Sequence, residues 1–571
     1  MKLVFRYLKK HLGIFLLSTL FLTMEAMADL LQPAFMSAVV DEGVAHMNTS
    51  YILRYGLIML LIAGVGAVSA IMRNHFSCRV SRTIGKEIRR DMYHKVQSLS
   101  LENIDRLQPA SIITRLTNDV TQIQEFINSI MRMMVKAPIT CVGAIALLVL
   151  QTPGQAPVMI GILAVAFLLI FCNMKIAYPR FGKVQRKLDK LNGVSREFLS
   201  SVRVVKAFNA EDEEEERFGE ASTELALANT SALRAMALFT PLISLTVNFG
   251  VVLLLFISRH QEAAQIGRLM ASVNYMTQVM FALNMMTHVL NTTVRAVASA
   301  ERIEEVLHEK PAQLMPENPE KPAISGSISV EDLSFRYRGA GREALMDVNF
   351  SVKPGETLGI IGPTGSGKST LVHLIPRLYD ATRGRVLVDG CDVTKMDVSH
   401  LRSHVAVVMQ KALLFSGTIE ENLRWGKPDA TQEEMEEAAR LACAEEFILE
   451  TEKGYQSLLG QGGVNLSGGQ KQRLSLARAL IRKPAILILD DCTSALDAQT
   501  EARVLSGLRR QGGQRTVLLI SQRISTVMKA DRILCLDGGR VMGLGSHQQL
   551  MESCETYRAI YKSQIGGEEN V

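Results

Sequence analysis

The sequence predicts two successive folds in one chain: an all-α membrane domain of six transmembrane helices over residues 1–309, then an α/β domain over 327–562. Three observations carry this reading. The apolar residues of a 571-residue chain that is 47% hydrophobic collect in its first half, in stretches of 18 residues or more. A helix needs about 20 such residues to cross a hydrocarbon core of about 30 Å. Next, Pro311, Pro316, Pro319 and Pro322 crowd the stretch 310–326 and mark it as a linker. Beyond it, short β-branched runs alternate with helical stretches, the pattern of an α/β fold, and 563–571 is left as a tail.

The spans follow in order. Leu12 to Leu31 is interrupted only by Glu25 and Asp29, and Tyr55 to Met72 carries no charge. Ala137 to Met174 is uncharged for 38 residues and contains Gln151-Thr152-Pro153-Gly154-Gln155-Ala156-Pro157. That heptapeptide reads as a tight turn between two helices. Ala235 to Ser258 and Leu269 to Val294 supply the last two. The predicted spans are about 12–35, 54–78, 131–150, 157–176, 236–258 and 267–291. Met1 to Ala28 also mimics a signal peptide with Ala26-Met27-Ala28 as its cleavage site. Cleavage would leave five spans and strand the second domain outside, so the segment is read as span 1.

Lys and Arg set the orientation. Segments 1–11, 73–136 and 175–234 hold 4, 11 and 11, whereas 36–53, 151–157 and 259–268 hold 0, 0 and 2. The N-terminus, both long connections and the C-terminal half are therefore cytoplasmic. The connections look helical, so the spans are expected to run on beyond the bilayer. The run Glu211 to Glu216 reads as a solvated helix surface. A net charge of +6 is too small to argue for nucleic acid. None of the eight cysteines forms a CxxC pair, so reduced thiols and no thiolate metal site are expected.

The chemistry is concentrated after the linker. Gly362-Pro363-Thr364-Gly365-Ser366-Gly367-Lys368-Ser369 fits GxxxxGK[ST] between an apolar strand (358–361) and a helical stretch from Thr370. Such a loop converges backbone N–H groups on phosphates, where the helix N-terminus adds positive potential. Lys368 would reach the β- and γ-phosphates and Ser369 would ligate Mg²⁺. Ile486 to Leu489 is a buried strand ending in Asp490, the carboxylate that a Walker B site uses to hold Mg²⁺.

Leu466-Ser467-Gly468-Gly469-Gln470 then matches the signature of ATP-binding cassette (ABC) ATPases, and the chain resembles a half-size ABC exporter over nearly its whole length. Arg115 to Val120, Val204 to Glu211 and Ser299 to Ile303 share in the resemblance. It implies the type I exporter fold, a P-loop ATPase domain with a helical subdomain, and ATP with Mg²⁺ as cofactors. Tyr337 takes the place of the aromatic that stacks on adenine. Gln410 matches the Q-loop glutamine, counted with Ser369 and Asp490 as a Mg²⁺ ligand, and Ser494 to Asp497 match the D-loop. In this family two cassettes meet head to tail, so Ser467, Gly468, Gly469 and Gln470 would complete the ATP site of a second half-transporter.

Asp491 stands where the family has its catalytic Glu, and Gln522 where it has the switch His. An Asp is one methylene shorter, and Gln cannot become cationic or shuttle a proton. Gln461 and Ala110 are lesser departures. Asp491 and Gln522 together resemble the degenerate subunit of heterodimeric bacterial exporters. The implied protein lies in the bacterial cytoplasmic membrane, contacts lipid and exports hydrophobic or amphipathic drug-like small molecules. A homodimeric exporter with tolerated substitutions, a lipid or peptide exporter and an ATP-gated channel are the alternatives. Glu25 and Asp29, four apart on one helix face, are read either as a cation-binding pair for substrate or as a structural pair with a partner such as Lys136. The span-6 methionines (270, 276, 280, 285, 286) suit an adaptable apolar pocket or ordinary core packing.

Overall fold

The structure is a computed structural model describing residues 1–151, 153, 156–257, 266–510 and 515–565. The chain divides into two compact units, Met1–Gln97 with Pro109–His308, and Ser98–Gln108 with Glu309–Val571. The predicted turn at 151–157 lies mostly outside the described residues, as does the end of the tail.

The first unit is all helix. Among the described residues, five stretches are long and apolar enough to cross a membrane: Leu12–Val44, Thr49–Gln97, Pro109–Gln151, Ala156–Phe208 and Glu211–Leu253. The predicted sixth span falls on the 43-residue helix Ile266–His308, which is less apolar because Asn274, Thr277 and Gln278 interrupt it. Helices of 49, 53 and 47 residues rise about 1.5 Å per residue, so each is roughly two and a half times as long as a bilayer core of about 30 Å is thick. The acidic run forms the first turns of Glu211–Ile257, where carboxylates meet the positive end of the helix dipole.

Polar contacts fix how these helices pack. Asp41 is buried and accepts from the backbone N–H of Gly267 (2.6 Å) and Arg268 (3.1 Å), capping the last helix. A Cβ on Gly267 would lie 2.5 Å from the Ser37 carbonyl, so only glycine allows that approach. Asp119, also buried, accepts from Ser299 Oγ (3.0 Å) and Arg302 Nε (2.8 Å). Two of the family-like motifs, 115–120 and 299–303, are thus one another's partners.

In the second unit, six strands lie in the order Arg540–Gly545, Arg532–Asp537, Thr357–Ile361, Thr516–Ile520, Ile486–Asp490, Val405–Val408. All neighbouring pairs are parallel except the first. Two neighbouring inner strands, Ile486–Asp490 and Thr516–Ile520, are buried at every residue, as a sheet covered on both faces requires. A second, antiparallel sheet holds Leu345–Val352, Ile328–Phe335, Arg383–Val388 and Cys391–Asp392. A helical subdomain packs Leu423, Met435, Phe447, Ile448 and Leu474 into one core.

Two short segments join this unit in ways the composition conceals. The helix Leu101–Leu107, read as part of a connection between spans, belongs to it. Its Asn103 donates to the Lys310 carbonyl (3.0 Å) and accepts from Ala312 N–H (2.8 Å), and Tyr379 donates to Asp105 (2.6 Å). The proline-rich stretch is bound at several points: Gln313 donates to the Arg377 carbonyl (3.1 Å), and Asp389 accepts from the N–H groups of Ser325, Gly326 and Ser327 at 2.8–3.0 Å. The prolines lack N–H donors, and the N–H groups of Ala312, Glu320, Ser325 and Gly326 find acceptors within the unit.

Candidate ATP site

The strand Thr357–Ile361 ends in the phosphate loop, and the loop ends in the helix Lys368–Leu374. Gly367 is the hinge. Its φ is +95°, and a Cβ there would lie 2.6 Å from the Ala344 carbonyl. Only glycine satisfies both constraints. Lys368 curls back over the loop, donating to the carbonyls of Gly362 (2.8 Å) and Pro363 (2.7 Å) and to Ser366 Oγ (3.3 Å). Burial pushes its ammonium pKa down, with Asp491 and Asp490 opposing. This cation satisfies itself on backbone oxygens that a phosphate would replace.

A cavity of about 390 Å³ is lined by Tyr337, Thr364, Gly365, Gly367, Lys368, Ser369, Thr370, Gln410, Asp490, Asp491 and Gln522. Most of the residues predicted for this chain's own site therefore share one space, though they come from the ends of five strands and the start of one helix. Gly362, Pro363 and Ser366 belong to the same loop. Tyr337 stacks edge-on against Phe335 and Tyr379, with its hydroxyl 3.1 Å from Thr370 Oγ1. Ser369 Oγ donates to Asp490 Oδ1 at 2.9 Å. Hydroxyl, carboxylate and amide oxygens from Ser369, Asp490 and Gln410 are the hard donors Mg²⁺ prefers, and Mg²⁺ uses few protein ligands beside phosphates. The donor set fits the ion.

Asp491 is 6% exposed at φ +45°, anchored by its N–H on the Ile520 carbonyl (3.1 Å). Its Oδ2 accepts from two amides at once, Gln410 Nε2 and Gln522 Nε2, each at 3.2 Å. Burial raises its pKa, Asp490 adds to that, and the Gln410 hydrogen bond and Lys368 pull the other way. Burial likewise raises Asp490.

Ser467 to Gln470 lie outside the cavity lining, at an exposed start of the helix Gly468–Leu480. Ser467 Oγ accepts from Gln470 N–H (3.3 Å), and Gln470 Oε1 accepts from Ser467 N–H (2.8 Å). This capping box begins the helix at Gly468 and Gly469, whose N–H groups have no intrahelical acceptor. Glu25 and Asp29 sit in the other unit, bound to basic side chains. Glu25 pairs with Arg73 (2.6 Å) and Lys136 (2.6 Å), and Lys136 also reaches Asp29 (2.8 Å).

Sequence reasoning overlooked three residues. His373 faces Asp490 Oδ2 at 3.9 Å. Gln472 bridges the signature helix to the D-loop through Ser494 Oγ (3.3 Å) and Ala495 N–H (3.0 Å). Buried Glu501 accepts from Thr493 (2.6 Å) and Thr526 (3.0 Å). An acid at a buried helix position was the only available signal, and only for Glu501.

Comparison with known proteins agrees with this geometry. Residues 15–283 match the family model for the ABC transporter transmembrane region, and 345–494 match that for ABC transporters. The uncharacterised ABC transporter ATP-binding protein YfiB of Bacillus subtilis is 38% identical, covering 95% of both chains. An ATP-dependent lipid A-core flippase of Aromatoleum aromaticum is 32% identical over 98% of this chain and 95% of its own. The solved structure of a bacterial Atm1-family ABC exporter with ATP bound superimposes with a TM-score of 0.78 at 24% identity, covering 98% of this chain and 99% of that one. The chain belongs to the ABC transporter family: it is a membrane-embedded half-transporter with the exporter fold and an ATP-hydrolysing cytoplasmic domain.

Proposed function

We propose that this chain exports hydrophobic or amphipathic small molecules as one half of a heterodimer, crossing the membrane six times. In this reading its own ATP site is degenerate and its signature completes the working site of its partner. The observation that carries it is the pair of amides on Asp491. A general base must present a free lone pair to the attacking water within about 2.6–3.2 Å. Here Gln410 and Gln522 both draw on Oδ2 of a carboxylate one methylene shorter than Glu, which leaves only Oδ1 to reach the water from a tethered, shorter arm, and no imidazole stands at position 522 to stabilise developing charge.

The binding half of the chemistry is intact. Tyr337 offers a face to adenine, and Lys368 gives up its carbonyl contacts to reach phosphate. Ser369, Asp490 and Gln410 would hold Mg²⁺, which supplies charge neutralisation between β- and γ-phosphates when bound. Nucleotide would then stay on this chain and hold the two cassettes together while the other site turns over. Ser467 and the N–H groups of Gly468 and Gly469 reach a γ-phosphate presented by the partner.

The test is steady-state ATPase activity of the purified complex. Ser467→Arg should nearly abolish turnover, whereas Asp491→Ala should cost less than threefold. Equal damage from both would show that this chain's own site works. The lipid A-core flippase relative favours a second reading, lipid as cargo. Acceleration of ATP turnover by lipid in drug-free vesicles distinguishes it from drug export.

A further inference from the structure

The segment after strand Thr516–Ile520 carries Gln522 into the ATP cavity. Its backbone is tied locally by the Arg523 N–H, which donates to Ser521 Oγ (3.1 Å), and twice from the last helix. Gln564, in the last helix Glu555–Ile565, donates through Nε2 to the Gln522 carbonyl (2.7 Å) and accepts at Oε1 from the Ile524 N–H (2.8 Å). One amide therefore straddles residue 523 and holds the peptide groups on both sides of it. Arg523 itself points the other way, donating to the Ser494 carbonyl of the D-loop (3.2 Å) and approaching Glu501 at 3.5 Å. Gln522 Nε2 meets Asp491 between these tethers.

The stereochemistry has a consequence for Gln522. A side chain starts from the direction its backbone sets: Gln564 holds the Gln522 carbonyl and so the Cα–Cβ direction from which the amide reaches Asp491, leaving rotation about the side-chain bonds as the remaining freedom. Ile524 is fully buried, which pins the far end of the segment. Gln564 itself is exposed, at the wall of an 810 Å³ cavity that the helix shares with Gly362, Pro363 and Thr364. Water competes there, so the clamp is releasable. Rigid placement of a donor matters most where it must meet a charge without reorganising.

We infer that Gln564 is a positioning residue of the ATP site: it clamps the backbone at residues 522–524 so that the Gln522 amide is held facing the γ-phosphate side of the cavity. This rests on the reading of Gln522 as the γ-phosphate switch, and it assigns a task to a helix that no nucleotide-binding motif includes.

The experiment uses the full-length chain in lipid discs. Amide hydrogen exchange is followed across residues 521–526. Affinities for Mg²⁺ with ATPγS and with ADP are measured by displacement of a fluorescent ATP analogue. Gln564→Leu should speed exchange at Ile524 at least tenfold and reduce the preference for ATPγS over ADP at least fivefold, leaving ADP affinity within twofold. Gln564→Glu keeps the acceptor for Ile524 but loses the donor to Gln522, so its exchange and preference should fall between wild type and Gln564→Leu. If the Leu variant melts early, the isosteric Glu variant carries the test. Gln522→Ala calibrates the switch and should remove the preference. Unchanged exchange in the Gln564 variants, or faster exchange with an unchanged preference, overturns the clamp. A preference that survives Gln522→Ala as well overturns the switch reading itself and the clamp with it.

Discussion

Two buried carboxylates, one in each unit, are stabilised by opposite means. Glu25 in the membrane unit lies between two cations, Arg73 and Lys136, and Lys136 is shared with Asp29. The four side chains sum to zero charge. Asp491 in the ATP-binding unit meets two neutral amides instead, and burial raises its pKa. A charge in a low-dielectric site needs a counter-charge or strong donors. Where it must be permanent, as between packed helices, a fixed ion pair supplies the compensation. Beside a nucleotide, neutral amides leave room for phosphate and metal to alter the local charge.

Breaking the membrane network should have the largest effect on stability. Lys136→Met leaves Asp29 uncompensated and Glu25 with Arg73 alone. Losing one member of a buried pair costs about 3–5 kcal/mol, which thermal melting in detergent would register as a marked drop. The paired change Glu25→Gln with Lys136→Met should recover most of it. Failure to recover would mean that the charges matter individually.

On the other side of the comparison, Lys368→Ala removes a cation proposed to serve phosphate rather than fold. Charged hydrogen bonds are worth about 1.5–3 kcal/mol. Nucleotide labelling at this chain's phosphate loop should therefore fall roughly 10–100-fold while the melting temperature stays within about two degrees. A large melting shift would place Lys368 in the structural class with Lys136.

Asp389 is a structural carboxylate inside the ATP-binding unit. Burial works against its charged form, but Ser325 Oγ and three backbone N–H groups outweigh that and lower its pKa. Asp389→Ala should cost about 1–3 kcal/mol for the stranded donors. Because the folded pKa is depressed, the contribution is present above the unfolded value of about 4 and is lost as pH falls through the folded one. Acid titration of wild-type stability should show that loss, and the Ala variant should show a flatter limb.

The smallest effect expected is a selectivity. Glu25→Gln with Asp29→Asn disrupts pairing rather than a vacant cation site, so export of cationic and neutral dyes should decline alike, within about twofold of each other. A loss confined to cationic dyes would make the carboxylates substrate ligands.

Legibility from sequence also differed between the two units. The phosphate loop was plain because its chemistry constrains consecutive backbone positions: Gly367 must be glycine on conformational and steric grounds together. Asp490 was visible because its apolar strand lies downstream of a phosphate loop; alone, an acid after a core strand reads as a cap. Helix lengths followed from apolar periodicity. Pairings between distant residues did not, since Asp119 with Arg302 or Asp41 with Gly267 involves separations of 183 and 226 residues. The grouping of helix Leu101–Leu107 with the second unit is hidden for a similar reason: its docking rests on Asn103 and Asp105, single polar residues with no periodic pattern. Gln564 leaves no sequence signal at all, because one glutamine in a polar terminal helix looks like any solvated residue.

The most direct test of the central claim follows the fate of nucleotide on this chain. The complex with its partner would be loaded with a photoactivatable ATP labelled at the γ-phosphate, allowed several turnovers, and cross-linked. A degenerate site predicts that nucleotide attached to this chain keeps its γ-label while nucleotide on the partner has lost it. Loss of the label from this chain at the same rate, together with brisk hydrolysis by the chain alone that Asp491→Ala abolishes, would contradict the account and establish a working homodimer.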